Sequence, residues 1–194
     1  LPPSALLEYL SQSHKDKLNN LEDAFKNVEI EDKFTDFWHL HGYRNIMLKM
    51  KELINNANKK IIISGWKREF SECKKELMSA KRRGVRCTIF SFTEVDEKLG
   101  KIVSYKLDED ELRKIWTPKI IMVVDHSHTL MGSAQSVEQS KAILTQNKAI
   151  SEIAMNHIIL DITLAGQRLG FDSAEYVKDI MRNPAEDLQS LLRS

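Results

Sequence analysis

Cysteine is nearly absent. Cys73 and Cys87 are the only two, and neither stands in a C-x-x-C pattern. That usage fits a reduced cytoplasmic protein in which both are small buried hydrophobes. Net charge is also missing: 29 Lys and Arg against 28 Asp and Glu leave +1. A surface dedicated to nucleic acid would be markedly basic, so the chain itself is not expected to bind DNA. No apolar run approaches the roughly 20 residues of a membrane span, and no signal peptide is visible. No membrane partner is therefore expected. The chain starts at Leu1 rather than Met, so it is expected to be part of something longer.

What is present is enough for one sizeable core, since 42% of 194 residues are hydrophobic. Residues 1–33 read as a helical arm, with Ser4 after Pro2-Pro3 as its N-cap. Leu18, Leu21, Phe25 and Val28 recur at spacings of 3, 4 and 3. That is a short heptad seam, and it predicts a dimerising coiled coil or a helix lying on its own domain. Residues 34–194 then form the main domain. His39 and His41 flank Leu40, but no nearby Cys, Asp or Glu completes a ligand set, so no metal is expected.

The clearest architecture follows. KIIIS, Lys60 to Ser64, is a continuous β-branched run and predicts a strand buried on both faces. A helix over 69–82 with Phe70, Cys73, Leu77 and Ala80 inward ends at Gly84, and RCTIFSF is a second strand. Strand, helix and strand imply a right-handed parallel crossover. Residues 107–114, LDEDELRK, read as a charged loop or solvated turn. Ile120–Val124 and Thr129–Met131 make a hairpin around Asp125-His126-Ser127-His128, and Ala142–Thr145 an edge strand. Asn147 opens a long helix to about Arg168, with Ile150, Ile153, Ala154, His157, Ile158 and Ile162 inward, and Gly170 ends it. A helix to about Arg182 and a last short one from Pro184 complete the chain.

The stretch PKIIMVVD followed by six residues and then Gly132-Ser133-Ala134-Gln135 resembles half of the phospholipase D signature, H-x-K-x4-D-x6-G-[ST]-x-N. The resemblance implies an α/β fold with a mixed, mainly parallel sheet flanked by helices. Registered on Asp125, the His position holds Pro118 and the Lys position holds Ile120. Lys119 is one residue out, which on a strand reverses its face. The covalent phosphoenzyme of that superfamily needs the His, so no catalytic residue is assigned and no cofactor is implied. Among non-catalytic users of this scaffold, the layout resembles the effector domain of TrmB-family transcriptional regulators. The segments that carry the likeness are LPPSALLEYL, LNNLEDAF, FWHLHGYRNIMLKMKELINNANKKIIISGW and NKAISEIAMNHIILDITL. It implies a homodimer, a small-molecule effector of which a carbohydrate is the suggested class, and DNA contacts made only through a winged helix-turn-helix domain upstream.

Ligands of open α/β sheets bind beyond the carboxyl ends of the strands. Ser64 and Trp66, Ser91 and Thr93, and Asp125 follow three successive strands, and Ser133 and Gln135 lie on the Gly-Ser turn. Hydroxyls, an amide, a carboxylate and a Trp suit a neutral sugar or polyol. For each residue alone, a turn or capping role is the ordinary alternative. The competing function is a phosphodiesterase or nuclease whose dimer joins two half-sites.

Overall fold

The computed structural model describes residues 2–26, 37–135 and 139–181. The chain divides into two compact units, Leu1–Thr35 and Asp36–Ser194. The first contains α1 (Pro3–Lys26), a single 24-residue helix. Leu6, Leu10, Leu18 and Leu21 are all exposed on it. Of the expected heptad seam, Val28 and the side chain of Phe25 lie outside the described residues.

The second unit is built on one seven-stranded sheet in the order β1-β7-β6-β5-β2-β3-β4. Its strands are β1 (Phe37–His41), β2 (Lys60–Gly65), β3 (Arg86–Thr93), β4 (Lys101–Leu107), β5 (Lys119–Val124), β6 (His128–Ser133) and β7 (Lys141–Thr145). The helices are α2 (Tyr43–Asn56), α3 (Lys67–Glu72), α4 (Lys74–Arg82), α5 (Glu109–Arg113), α6 (Lys148–Leu169) and α7 (Ala174–Ile180).

The sheet is mixed, but the expectation of a mainly parallel one is corrected. Only β2·β3 and β3·β4 run parallel. The pairs β2·β5, β5·β6, β6·β7 and β1·β7 are antiparallel. The β2–β3 crossover fixes one direction and the β5–β6 hairpin is antiparallel as a tight connection requires, while β2·β5 and β1·β7 join strands distant in sequence. Three smaller corrections follow. FWHLH forms the edge strand β1, so Ala142–Thr145, expected at the edge, lies in the interior strand β7. The charged segment after β4 holds the helix α5, whose Asp108 side chain caps Asp110 and Glu111 amides, both at 3.0 Å. The 69–82 helix is two helices meeting at Cys73. The short helix from Pro184 lies outside the described residues.

Side chains alternate across each strand, so the sheet has two apolar faces. On one, Ile61, Ile63, Ile120, Met122 and Leu130 pack against Ile46, Met50 and Ile54 of α2 and Leu77 of α4. On the other, Ile62, Phe90 and Val123 pack against Ala154, Ile158 and Ile162 of α6. Asn147 caps α6 by accepting from the amides of Ala149 (3.0 Å) and Ile150 (3.3 Å), and Gly170 ends it in the left-handed conformation at φ 74. Ile153 and His157 turn outward, contrary to the predicted stripe, because Ala154, Ile158, Ile162 and Ala165 hold the inner face. By length and composition α6 could cross a membrane, yet its inner face is seated on the sheet.

Candidate functional site

The β5–β6 hairpin carries the motif residues, and its two ends do different things. At the Asp125 end the turn needs two residues with positive φ, and Asp125 (φ 51) and His126 (φ 56) supply them. Ser127 N–H donates to the Val124 carbonyl at 3.0 Å and closes the turn. The Asp125 carboxylate then accepts the backbone N–H groups of Asn58 (2.9 Å), Lys59 (2.8 Å) and Lys60 (2.8 Å). Burial pushes its pKa up, but these three bonds and the Lys59 charge outweigh that and leave it below the usual carboxylate value. Asp125 thus pins the hairpin to the start of β2.

At the other end stand Pro118 and Ile120, at the positions where the phospholipase D signature has His and Lys. Both are buried, and Ile120 belongs to the α2-side core. The Pro118 carbonyl accepts from Ala134 N–H at 2.9 Å. Gly132 is required there by crowding: a Cβ would meet the Lys141 carbonyl oxygen at 2.2 Å. The Ala134 carbonyl accepts from Arg68 Nη2. Arg68 Nε pairs with the buried Glu69 carboxylate at 3.0 Å, and its guanidinium lies 4.2 Å from the centre of the Tyr43 ring. Glu69 also accepts from Tyr43 Oη (3.3 Å) and from Trp66 N–H (3.2 Å). Burial raises the Glu69 pKa, opposed by Arg68. An Arg–Glu–Tyr cluster therefore fills the strand ends beside the two motif positions. Sequence reading missed it. A Glu three residues after a strand-end Trp, at the third position of a helix, is the signal that could have found it.

The seven residues expected to line a ligand site do not converge. Asp125 lies at the opposite sheet edge from the rest, because β5 runs antiparallel to β2 and pairs Val124 with Ile61. Ser91 and Thr93 are buried on the α2 side, bonded to each other at 3.1 Å, with Thr93 Oγ1 accepting Lys67 N–H at 2.7 Å. Trp66 is 4% exposed and sits before α3 beneath Arg113, 5.9 Å from its ring centre. Ser64 and Ser133 are half-buried on the α6 side, and Gln135 is exposed, donating to Thr117 Oγ1 at 3.1 Å.

Two clefts flank β1, one on each face of the sheet. The first, about 600 Å3, lies between α2 and the Asp125 end of the hairpin. Trp38, 46% exposed, forms one wall, and Asn56, Asn58, Gln146 and His128 surround it. His128 is fixed between Ser127 Oγ (2.9 Å) and Gln146 Nε2 (3.1 Å). The second, about 490 Å3, lies over β5, β6, β7 and β1 on the other face. Neither holds a metal ligand set: among the described residues no group of three or more His, Cys, Asp or Glu could hold an ion.

These features meet a family pattern. Residues 36–160 match the family described as transcriptional regulator TrmB, EBD N-terminal subdomain. The chain belongs to that family. The uncharacterized protein YrhO of Bacillus subtilis strain 168 is 21% identical over 154 residues, 79% of this chain and 55% of that protein. The chain thus spans about half the length of the curated relative it matches. Among solved structures it is similar to the archaeal chromatin protein TrmBL2, at 16% identity and TM-score 0.49 over 80% of this chain and 62% of that one. It is similar to NucT from Helicobacter pylori, at 10% identity and TM-score 0.48 over 66% of this chain and 96% of that one. It is similar also to Nuc from Salmonella typhimurium, a phospholipase D family member, at 16% identity and TM-score 0.45 over 64% and 93%.

Proposed function

We propose that this chain is the effector-binding module of a transcription regulator, built on a phospholipase D-like scaffold that no longer cleaves phosphodiesters. The observation that carries the reading is the burial of Pro118 and Ile120 at the positions where His and Lys would act. A proline cannot form a phosphoenzyme, and a core isoleucine cannot contact a phosphate. The family match to residues 36–160 supports the regulatory role.

The effector is a neutral sugar or polyol held in the cleft beside Trp38. An exposed indole offers a stacking wall, and Asn56, Asn58 and Gln146 offer amides that donate and accept. The module is dimeric through the arm, where Leu18 and Leu21 stand exposed, and it acts on DNA through a separate domain of the same regulator. Thermal-shift screening with monosaccharides, disaccharides and polyols tests the effector, since a ligand of the folded state raises the melting temperature by mass action. A stabilising sugar whose effect disappears in Trp38→Ala supports the cleft. A phosphodiesterase signal lost in Lys119→Ala would revive the enzyme. Light scattering of Leu21→Ser with Phe25→Ser reads the dimer: an unchanged mass removes the arm as interface.

A further inference from the structure

The second cleft carries a different chemistry. It lies on the α6 side, where α6 packs across β2 to β6 and leaves a corner of the sheet uncovered. Register sets its floor. Ile121 stands opposite Met131, and Met131 opposite Ile143, so three half-buried apolar side chains form one row across three strands. With strands about 4.8 Å apart, that row runs about 10 Å. The next row is cationic. Lys119 stands opposite Ser133, and His41 opposite Lys141. Both lysines are exposed, and among the described residues neither forms an ion pair. Among the described residues no Asp or Glu lines the cleft. Ser133 Oγ accepts Lys141 N–H at 3.3 Å, so its own proton is left to donate.

We propose that this corner binds a single-chain aliphatic carboxylate of medium length. The acyl chain lies against the Ile121, Met131 and Ile143 side chains, and the carboxylate sits in the neighbouring row between Lys119 and Lys141 against the Ser133 hydroxyl. An apolar floor would not hold a compact inorganic anion, whose binding needs donors on several sides. Two cations alongside one apolar row are too few and too local for a nucleic-acid backbone. The one-residue offset that removes Lys119 from the phospholipase D register turns its side chain to this face.

The test is calorimetric titration of the whole chain with decanoate below its micellar concentration, with decanol and acetate as comparisons. Saturable binding near one decanoate per chain is expected, weakened at least ten-fold in Lys119→Met with Lys141→Met. Acetate should be silent, and raised salt should weaken decanoate binding. Met131→Glu should abolish it with circular dichroism unchanged. Absence of saturable binding, equal affinity for decanol, or an unaltered double lysine variant each overturns the proposal. The sugar reading rests on the opposite face, so Trp38→Ala should leave decanoate binding intact, and either result can fail alone.

Discussion

The two ends of the β5–β6 hairpin hold the positions that register with the phospholipase D signature, and they are built differently. Asp125 keeps its place because its work is structural: three amides at the start of β2 need an acceptor whether or not chemistry happens. At the far end Pro118 and Ile120, at the signature's His and Lys positions, are both buried, beside the Arg68, Glu69 and Tyr43 cluster. One end matches the signature with a residue that satisfies backbone; the other departs from it with residues that belong to the core.

The sharpest way to break this contrast is to place the signature's His and Lys at the far end. Ile120→Lys places an ammonium at a site 1% exposed and should cost about 4 kcal/mol or more, read by urea denaturation. Pro118→His with Ile120→Lys should yield no phosphodiesterase activity on a nitrophenyl diester, because core and cluster deny the substrate room. Next in size is Glu69→Ala, which strands Arg68 and the Trp66 amide and should cost about 3 kcal/mol. Asp125→Ala should cost about 2 kcal/mol, since the amides it leaves are nearer to water. If Asp125→Ala proves harmless, the structural reading of that end is wrong.

The two carboxylates should also respond to pH with opposite sign. The Asp125 pKa is lowered in the fold, so its contribution is present above its unfolded value and is lost as pH falls through the folded one. The Glu69 pKa is raised, so its protonation favours the fold, and that contribution fades as pH rises through the folded value. Between neutral pH and about pH 3, Asp125→Asn should lose its penalty on acidification, while Glu69→Gln should become relatively worse; denaturant midpoints at both pH values check this. The smallest effect concerns the thiols. Burial pushes Cys73 up to about 12 and Cys87 to about 11, so neither should react with a thiol reagent at neutral pH until the protein unfolds.

Much of the fold was legible where a residue pattern has one solution. KIIIS could only be a doubly buried strand, and Asn147 and Gly170 bracket α6 by their capping chemistry. Strand direction was less so, because nothing local to KIIMVV says which way it runs beside β2; that follows from pairing across the whole sheet. The candidate site was legible only as missing chemistry. Polar side chains at strand ends suggested a pocket, yet Ser91 and Thr93 satisfy one another inside the core. The cleft residues Trp38, Asn56 and Gln146 come from three separate segments, and the pairing of β1 with β7, which no local pattern announces, brings Trp38 to the others.

That edge strand has one more implication. Trp38 and Leu40 wall one cleft, while His39 and His41 wall the other, on the same five-residue strand held by a single neighbour, β7. Two ligands that each shift the β1–β7 pairing would be thermodynamically linked: the factor by which one alters the other's affinity is the same in both directions. Any such linkage would run through this short strand, which has a face in each cleft.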